Sequence, residues 1–165
     1  MPRNTGSARP SMSHSIANAT HGPVVLSIHI APASRLPTKA VGEVVAESGR
    51  GLVGDRYHGT RHRHVSVQSA TALQEASRIL GKEIEPQRTR RNITISEGDV
   101  PSTPGTQIAI GPVELEVVRI AAPCRLLDDE IGPGAAAALR RRAGSIFRVL
   151  EGGVIGLGDT VRLDV

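Results

Sequence analysis

The chain is poor in several residue types at once. Its 165 residues hold one cysteine, Cys124, one tyrosine, Tyr57, one phenylalanine, Phe147, and no tryptophan. A single cysteine excludes an internal disulfide framework and a cysteine-rich structural zinc site, and it fits a reducing compartment. With two aromatic rings, the stacking platforms that hold single-stranded nucleic acid cannot be built, and the core has to be aliphatic. Lysine is scarce too, with Lys39 and Lys82 the only two among 20 basic residues. No apolar run approaches the roughly 20 residues that a membrane-spanning helix requires, so no membrane association is expected. Nor does the N-terminus carry an apolar stretch of secretory-signal length, which makes the cytoplasm the expected location.

What remains is 39% apolar and of a length usual for one domain. Residues 1–22 are rich in Ser, Asn, Pro, Gly and Ala without an apolar period, and read as a flexible arm. Residues 23–165 read as a single domain. The net charge is +4. The cations are spread along the chain, Arg140–Arg142 being the densest cluster, so nucleic acid is not an expected partner. An arginine fork suits phosphate and carboxylate, and the placement of these side chains therefore matters more than their sum.

The pattern predicts many short strands and two helices. Val24–Ile30, Ala40–Glu47 and His64–Gln68 are β-branched or alternating, as are Asn92–Ile95, Gln107–Ile110 and Val113–Ile120. Gly111-Pro112 suits a tight hairpin between the last two. Ile146–Leu150, Val154–Leu157 and Thr160–Val165 close the chain as short strands. Ser69–Leu80 has apolar residues at helical spacing, with Ser69 as cap and Gly81 as stop, and Pro133–Ala143 reads as a second helix. This is the signature of a mostly β, barrel-like domain with helical insertions. Neither a G-x-G-x-x-G opening a helix nor a P-loop is present.

Four segments could carry chemistry. Gly51–Gly59 combines glycines with Asp55, Arg56 and His58, and reads either as a turn or as a loop that admits a ligand close to the backbone. His58, His62 and His64 follow, but the neighbouring arginines disfavour a divalent cation and favour an anion. In Arg90-Arg91-Asn92-Ile93-Thr94, alternation along a strand would send only one of the two arginines into a shared pocket and put Asn92 and Thr94 on one face. The bland reading there is a basic strand edge. Finally, Pro123 breaks the long strand just before Cys124, placing the thiol on a loop, where Arg125 favours the thiolate that acts as nucleophile or soft-metal ligand. A buried, inert cysteine is the alternative.

In this order, Gly51–His58, Arg90-Arg91-Asn92-Ile93-Thr94, Gly105–Gly111, Pro123-Cys124, Gly144, Arg148-Val149-Leu150, Gly152-Gly153 and Gly158-Asp159 resemble the MOSC domain, named after the C-terminal domain of molybdenum cofactor sulfurase. The resemblance runs from about Val41 to Val165. It implies a twisted, barrel-like β fold that binds molybdenum cofactor, the metal-carrying molybdopterin. Cys124 would be the catalytic residue, as molybdenum ligand or as persulfide-carrying sulfur acceptor, and His58, Arg91, Asn92, Thr94 and Arg148 would surround the cofactor.

The expected function is cofactor sulfur transfer or the reduction of N-hydroxylated small molecules. The partner would be an external sulfur donor such as a cysteine desulfurase, or a separate electron-donor protein. Pyridoxal phosphate is not expected, because neither lysine has a phosphate-binding context. Two alternatives are a non-catalytic carrier that delivers the cofactor, and a Cys-His hydrolase built on Cys124 and His58.

Overall fold

The computed structural model describes residues 22–165. The expected arm, Gly22 apart, lies outside them. The described residues form strands β1 (Val25–Ile30), β2 (Lys39–Val41), β3 (Glu43–Glu47), β4 (Gly51–Leu52), β5 (Val65–Ser69), β6 (Ile93–Ile95), β7 (Gln107–Ile110), β8 (Val113–Ile120), β9 (Ser145–Glu151), β10 (Gly153–Gly156) and β11 (Val161–Arg162). The helices are α1 (Ala70–Leu80), α2 (Leu126–Glu130) and α3 (Ala135–Ala138), with a 3-10 turn at Pro86–Thr89. No helix among the described residues is long and apolar enough to cross a membrane.

Eight strands make one sheet in the order β11-β7-β8-β9-β5-β6-β1-β2, and β10-β3-β4 make a second. All pairings are antiparallel except β5 with β6, which α1 joins as a parallel crossover. Val65 and Val67 of β5, Ile93 and Ile95 of β6, Leu115 of β8 and Phe147 of β9 pack with Val44, Ala46 and Ile155 of the smaller sheet in an aliphatic core. A second cluster joins Leu73 and Ala76 of α1 to Leu127 of α2 and to Ala135 and Ala138 of α3.

The mostly β reading holds, and so does the first helix. The Ser69 hydroxyl accepts the Thr71 N–H at its start, and Gly81 ends it in the left-handed region at φ 75°. The Gly111-Pro112 hairpin forms between β7 and β8. Three expectations fail. The eight-stranded sheet is not closed into a barrel: β11 and β2 are its edges, and a single bridge, Val24 with Thr160, links its two ends. The run read as one strand, Ala40–Glu47, is also broken at Gly42 into β2, which pairs with β1, and β3, which pairs with β10 in the second sheet. The second helix is only the four residues of α3. Gly132 and Gly134 enter it with positive φ, and Arg141 turns the chain left-handed at φ 63° soon after it. The short helix α2, just past Cys124, was not anticipated.

Candidate active site

β8 ends at Ile120, and the chain runs as an irregular segment through Pro123 to Cys124, whose side chain is exposed. Cys124 thus lies on a loop as expected, although the strand already ends at Ile120, three residues before Pro123. Three hydrogen bonds fix this segment. The Ala121 N–H donates to the Gly144 carbonyl at 2.9 Å, Arg91 Nη2 donates to the Ala122 carbonyl at 3.4 Å, and the Leu127 N–H donates to the Cys124 carbonyl at 2.9 Å. Gly144 itself has φ 78°, and a Cβ there would collide with the backbone carbonyl of Val67 on β5, so only glycine permits this approach.

Cys124 borders a pocket of about 150 Å³, together with Arg56, Tyr57, Arg63, Thr89, Arg90, Arg91, Leu126 and Leu127. Its charge is one-sided. Arg56 lies 3.3 Å from the Asp55 carboxylate and donates through Nη2 to the Arg90 carbonyl. Asp55 also accepts the N–H groups of Ala31 and Tyr57, which secures the loop after β4. Arg63 and Arg56 both lie over the Tyr57 ring, at 4.2 and 4.6 Å from its centroid, a cation–π stack that holds the guanidinium groups flat.

Arg91 is 6% exposed, and its Nε donates to the Ala143 carbonyl at 3.0 Å. Burial, and next the Arg63 cation, pull its pKa down to about 10, with Cys124 pulling the other way, and it stays charged at neutral pH. Burial, then Tyr57 in the opposite sense, and the cations Arg119 and Arg56 leave Arg63 lowered as well. Arg63 Nε is buried without a hydrogen-bond partner among the described residues. Four guanidinium groups against one carboxylate, with an idle buried donor, make a receptor for an anion.

Of the residues expected at the site, the structure brings Cys124 and Arg91 together. Asn92 and Thr94 are buried behind the pocket and fully engaged within the protein. Asn92 Oδ1 accepts from the N–H and hydroxyl of Ser66, and its Nδ2 donates to the His29 carbonyl. Thr94 Oγ1 accepts from Gln68 Nε2. They position Arg91 through β6 and do not line the pocket. His58 Nε2 lies 3.3 Å from Glu47, and Arg148 Nε lies 3.5 Å from Glu116, and neither residue lines the pocket.

The expectation that only one of Arg90 and Arg91 would enter a shared pocket also fails. Arg90 ends the 3-10 turn in the left-handed region at φ 64°, outside any strand, so alternation does not apply and both line it. Arg56 was read in the Gly51–Gly59 loop but not assigned to the cofactor, and Tyr57, Arg63 and Thr89 were not read as site residues. The anionic preference read from the His58–His64 segment was their one signal. His64 proves structural: buried, it accepts the Val149 N–H at Nδ1 and pairs through Nε2 with the Thr60 carbonyl, which fixes the Nε2–H tautomer. Among the described residues no three His, Cys, Asp or Glu side chains gather as a metal site.

The family model of the MOSC domain matches residues 54–162, more than half of the chain. The chain belongs to the MOSC domain family. Solved MOSC-like structures share its fold: the YuaD protein of Bacillus subtilis, at 20% identity and a TM-score of 0.74, covers 85% of this chain and 94% of its own. YiiM of Geobacillus stearothermophilus, at 16% identity and a TM-score of 0.67, covers 87% and 76% respectively. YiiM of Escherichia coli, at 15% identity and a TM-score of 0.62, covers 86% and 70%. No curated protein matches the chain. Within this MOSC domain, the segment from Gly54 onward contains every residue that lines the Cys124 pocket.

Proposed function

We propose that this MOSC protein binds molybdenum cofactor at the Cys124 pocket and uses the Cys124 thiolate as molybdenum ligand or as sulfur acceptor. One observation carries the reading: an exposed thiol stands on the rim of a pocket with four arginines, one of which keeps a buried donor unpartnered. These residues fit the cofactor's anionic end. Arg63 and Arg56 would hold its phosphate, Arg91 would carry the balancing charge beneath, and Cys124 would supply the soft ligand that a thiol-bound metal accepts. At about 150 Å³ the pocket is smaller than the roughly 300 Å³ of typical small-molecule sites, so it accommodates the phosphate and not the whole pterin.

When bound, the cofactor supplies two-electron redox chemistry or a terminal sulfur position. The chain's own contribution is to hold the anion, keep the thiol exposed on a loop pinned by Arg91 and Gly144, and admit a second reactant from solvent. As sulfur acceptor, the Cys124 thiolate attacks the outer sulfur of a donor persulfide; that S–S bond breaks and the donor leaves as a thiolate. The partner is then a cysteine desulfurase, and for a reduction it is an electron-donor protein.

The test is the molybdenum and pterin content of protein from a molybdenum-competent host, set beside Cys124→Ser. Metal present in the parent and lost in the variant supports the ligand role. A single added sulfur on Cys124 after incubation with a desulfurase, with metal equal in both proteins, moves the assignment to sulfur carriage. Negligible metal and no added sulfur in either protein overturns the reading.

A further inference from the structure

The segment that carries Cys124 contributes to two concavities of different chemistry. One is the arginine pocket. The other, which shares no lining residue with it, is a groove of about 370 Å³ with Ile120, Ala122, Pro123 and Ala136 as apolar lining and Arg140 and Arg141 as its polar members. Its volume falls in the range of roughly 300–1,000 Å³ usual for small-molecule sites, whereas the arginine pocket's does not.

Four further facts give the groove a direction. Ile120 is 41% exposed, a large apolar side chain left open to solvent at the end of a strand. Arg140 and Arg141 are both exposed, and among the described residues neither forms an ion pair. The nearby carboxylate of Asp128 is already engaged, accepting the Ala136 N–H at 2.9 Å, and it does not line the groove. Arg141 also holds a left-handed backbone, φ 63°, which is unfavourable for an arginine and which glycine would adopt freely. Strain retained at a residue that lines a concavity points to a use for its side chain.

We propose that this groove binds an amphipathic organic anion: a flat or short apolar body on the Ile120–Pro123 and Ala136 lining, with one carboxylate, sulfonate or phosphate under Arg140 and Arg141. The apolar body is desolvated against aliphatic side chains, and the anion meets the unpaired forks. Such a ligand would contact Pro123, the residue next to the thiol-bearing Cys124. Beside Cys124 in the chain, the groove would hold the second reactant, an assignment of role that rests on the function proposed above, whereas the binding itself does not.

The test uses naphthalene-2-sulfonate as probe, uncharged 2-naphthol as comparison, and backbone amide chemical shifts as readout. Saturable one-to-one binding is expected, with shifts centred on Ile120, Ala121, Ala122 and Ala136 and with 2-naphthol weaker by about tenfold, the factor one charge-assisted contact supplies. Arg141→Gly should keep or raise the melting temperature while weakening the probe by a similar factor, and Ala136→Leu should fill the groove and abolish binding. Shifts centred on Tyr57 and Arg63, unsaturable binding, equal affinity for the two probes, or no effect of Arg141→Gly would each overturn the groove. None of these outcomes bears on molybdenum content, so failure here and failure of the cofactor reading are told apart.

Discussion

Strands β5 and β6 bury both of their faces, and the two faces are built differently. One carries Val65, Val67, Ile93 and Ile95 into the aliphatic core between the sheets. The other carries Ser66, Gln68, Asn92 and Thr94, all buried, with Thr89 accepting a further hydrogen bond from Gln68. The aliphatic face is held by non-directional burial, which tolerates changes of shape so long as volume is kept. The polar face is held by directed hydrogen bonds, each of which fixes a neighbour. Through Asn92 it locks β6 to β5 and β1, and with β6 the position of Arg91, whose guanidinium in turn holds the Ala122 and Ala143 carbonyls. The Cys124 loop is therefore a continuation of the polar face, and disturbance should travel from one to the other. The aliphatic face should absorb it.

The largest effect is expected where the polar face meets the loop without any side chain. Gly144→Ala has to push the Val67 carbonyl away at a backbone position with positive φ, and should cost at least about 3 kcal/mol in chemical denaturation. Next comes a pair of neighbours in sequence. Asn92→Ala leaves the Ser66 N–H and the His29 carbonyl buried without partners and should cost about 2–4 kcal/mol. Ile93→Val, one residue away on the other face, should cost about 1 kcal/mol. The pair also differs in reach, since thiol-labelling rates at Cys124 should change with Asn92→Ala and stay constant with Ile93→Val. Equal costs and unchanged labelling in both would remove the distinction between the faces.

A smaller, pH-dependent effect tests the buried histidines. Burial lowers the pKa of His29 and of His64, so the folded state holds both neutral. The unfolded chain titrates them near about 6.5 and below that binds more protons, so their stability contribution is complete above this pH and is lost as pH falls towards the folded values. The expected slope is up to about 1.4 kcal/mol per pH unit for each residue, and His64→Gln should remove one share of it. The smallest change in stability is expected from Arg63→Leu, about 0.5–1 kcal/mol, because among the described residues its guanidinium forms no hydrogen bond or ion pair and only stacks on Tyr57. That variant should nevertheless lose anion binding. Tyr57 is the only tyrosine in a chain without tryptophan and lines the same pocket, so its emission reports the loss directly during a pyrophosphate titration.

The aliphatic face was the more legible of the two. Period-two alternation in β5 and the β-branched runs of β6 and β8 announce strands from local sequence. The cap at Ser69 and the stop at Gly81 bound α1 in the same way. Pro123 in the sequence placed Cys124 on a loop, for a local reason too, with the strand ending at Ile120. The sequence reading went astray where tertiary context decides: Gly42 reads as part of a strand until it is seen to redirect the chain between sheets, and the alanines after Gly134 have helical propensity that Arg141 cuts short. Arg56 was read only as part of a glycine loop, and Arg63 was hidden among other cations. Only the stack on Tyr57 and the idle Nε distinguish them, and both are long-range outcomes of how the loop after β4 folds back. Asn92 and Thr94 were placed on one face correctly, but that face turned out to be an internal layer.

The central claim is that Cys124 and the arginine cluster form one anion-and-metal site, and that His58 and Arg148 lie outside it. Pterin and molybdenum content across two sets of variants tests this most directly. Arg63→Leu should lose both pterin and metal and Cys124→Ser should lose the metal, while His58→Ala and Arg148→Ala retain parent-like amounts of each. Retention by Arg63→Leu together with loss in His58→Ala or Arg148→Ala would contradict the account.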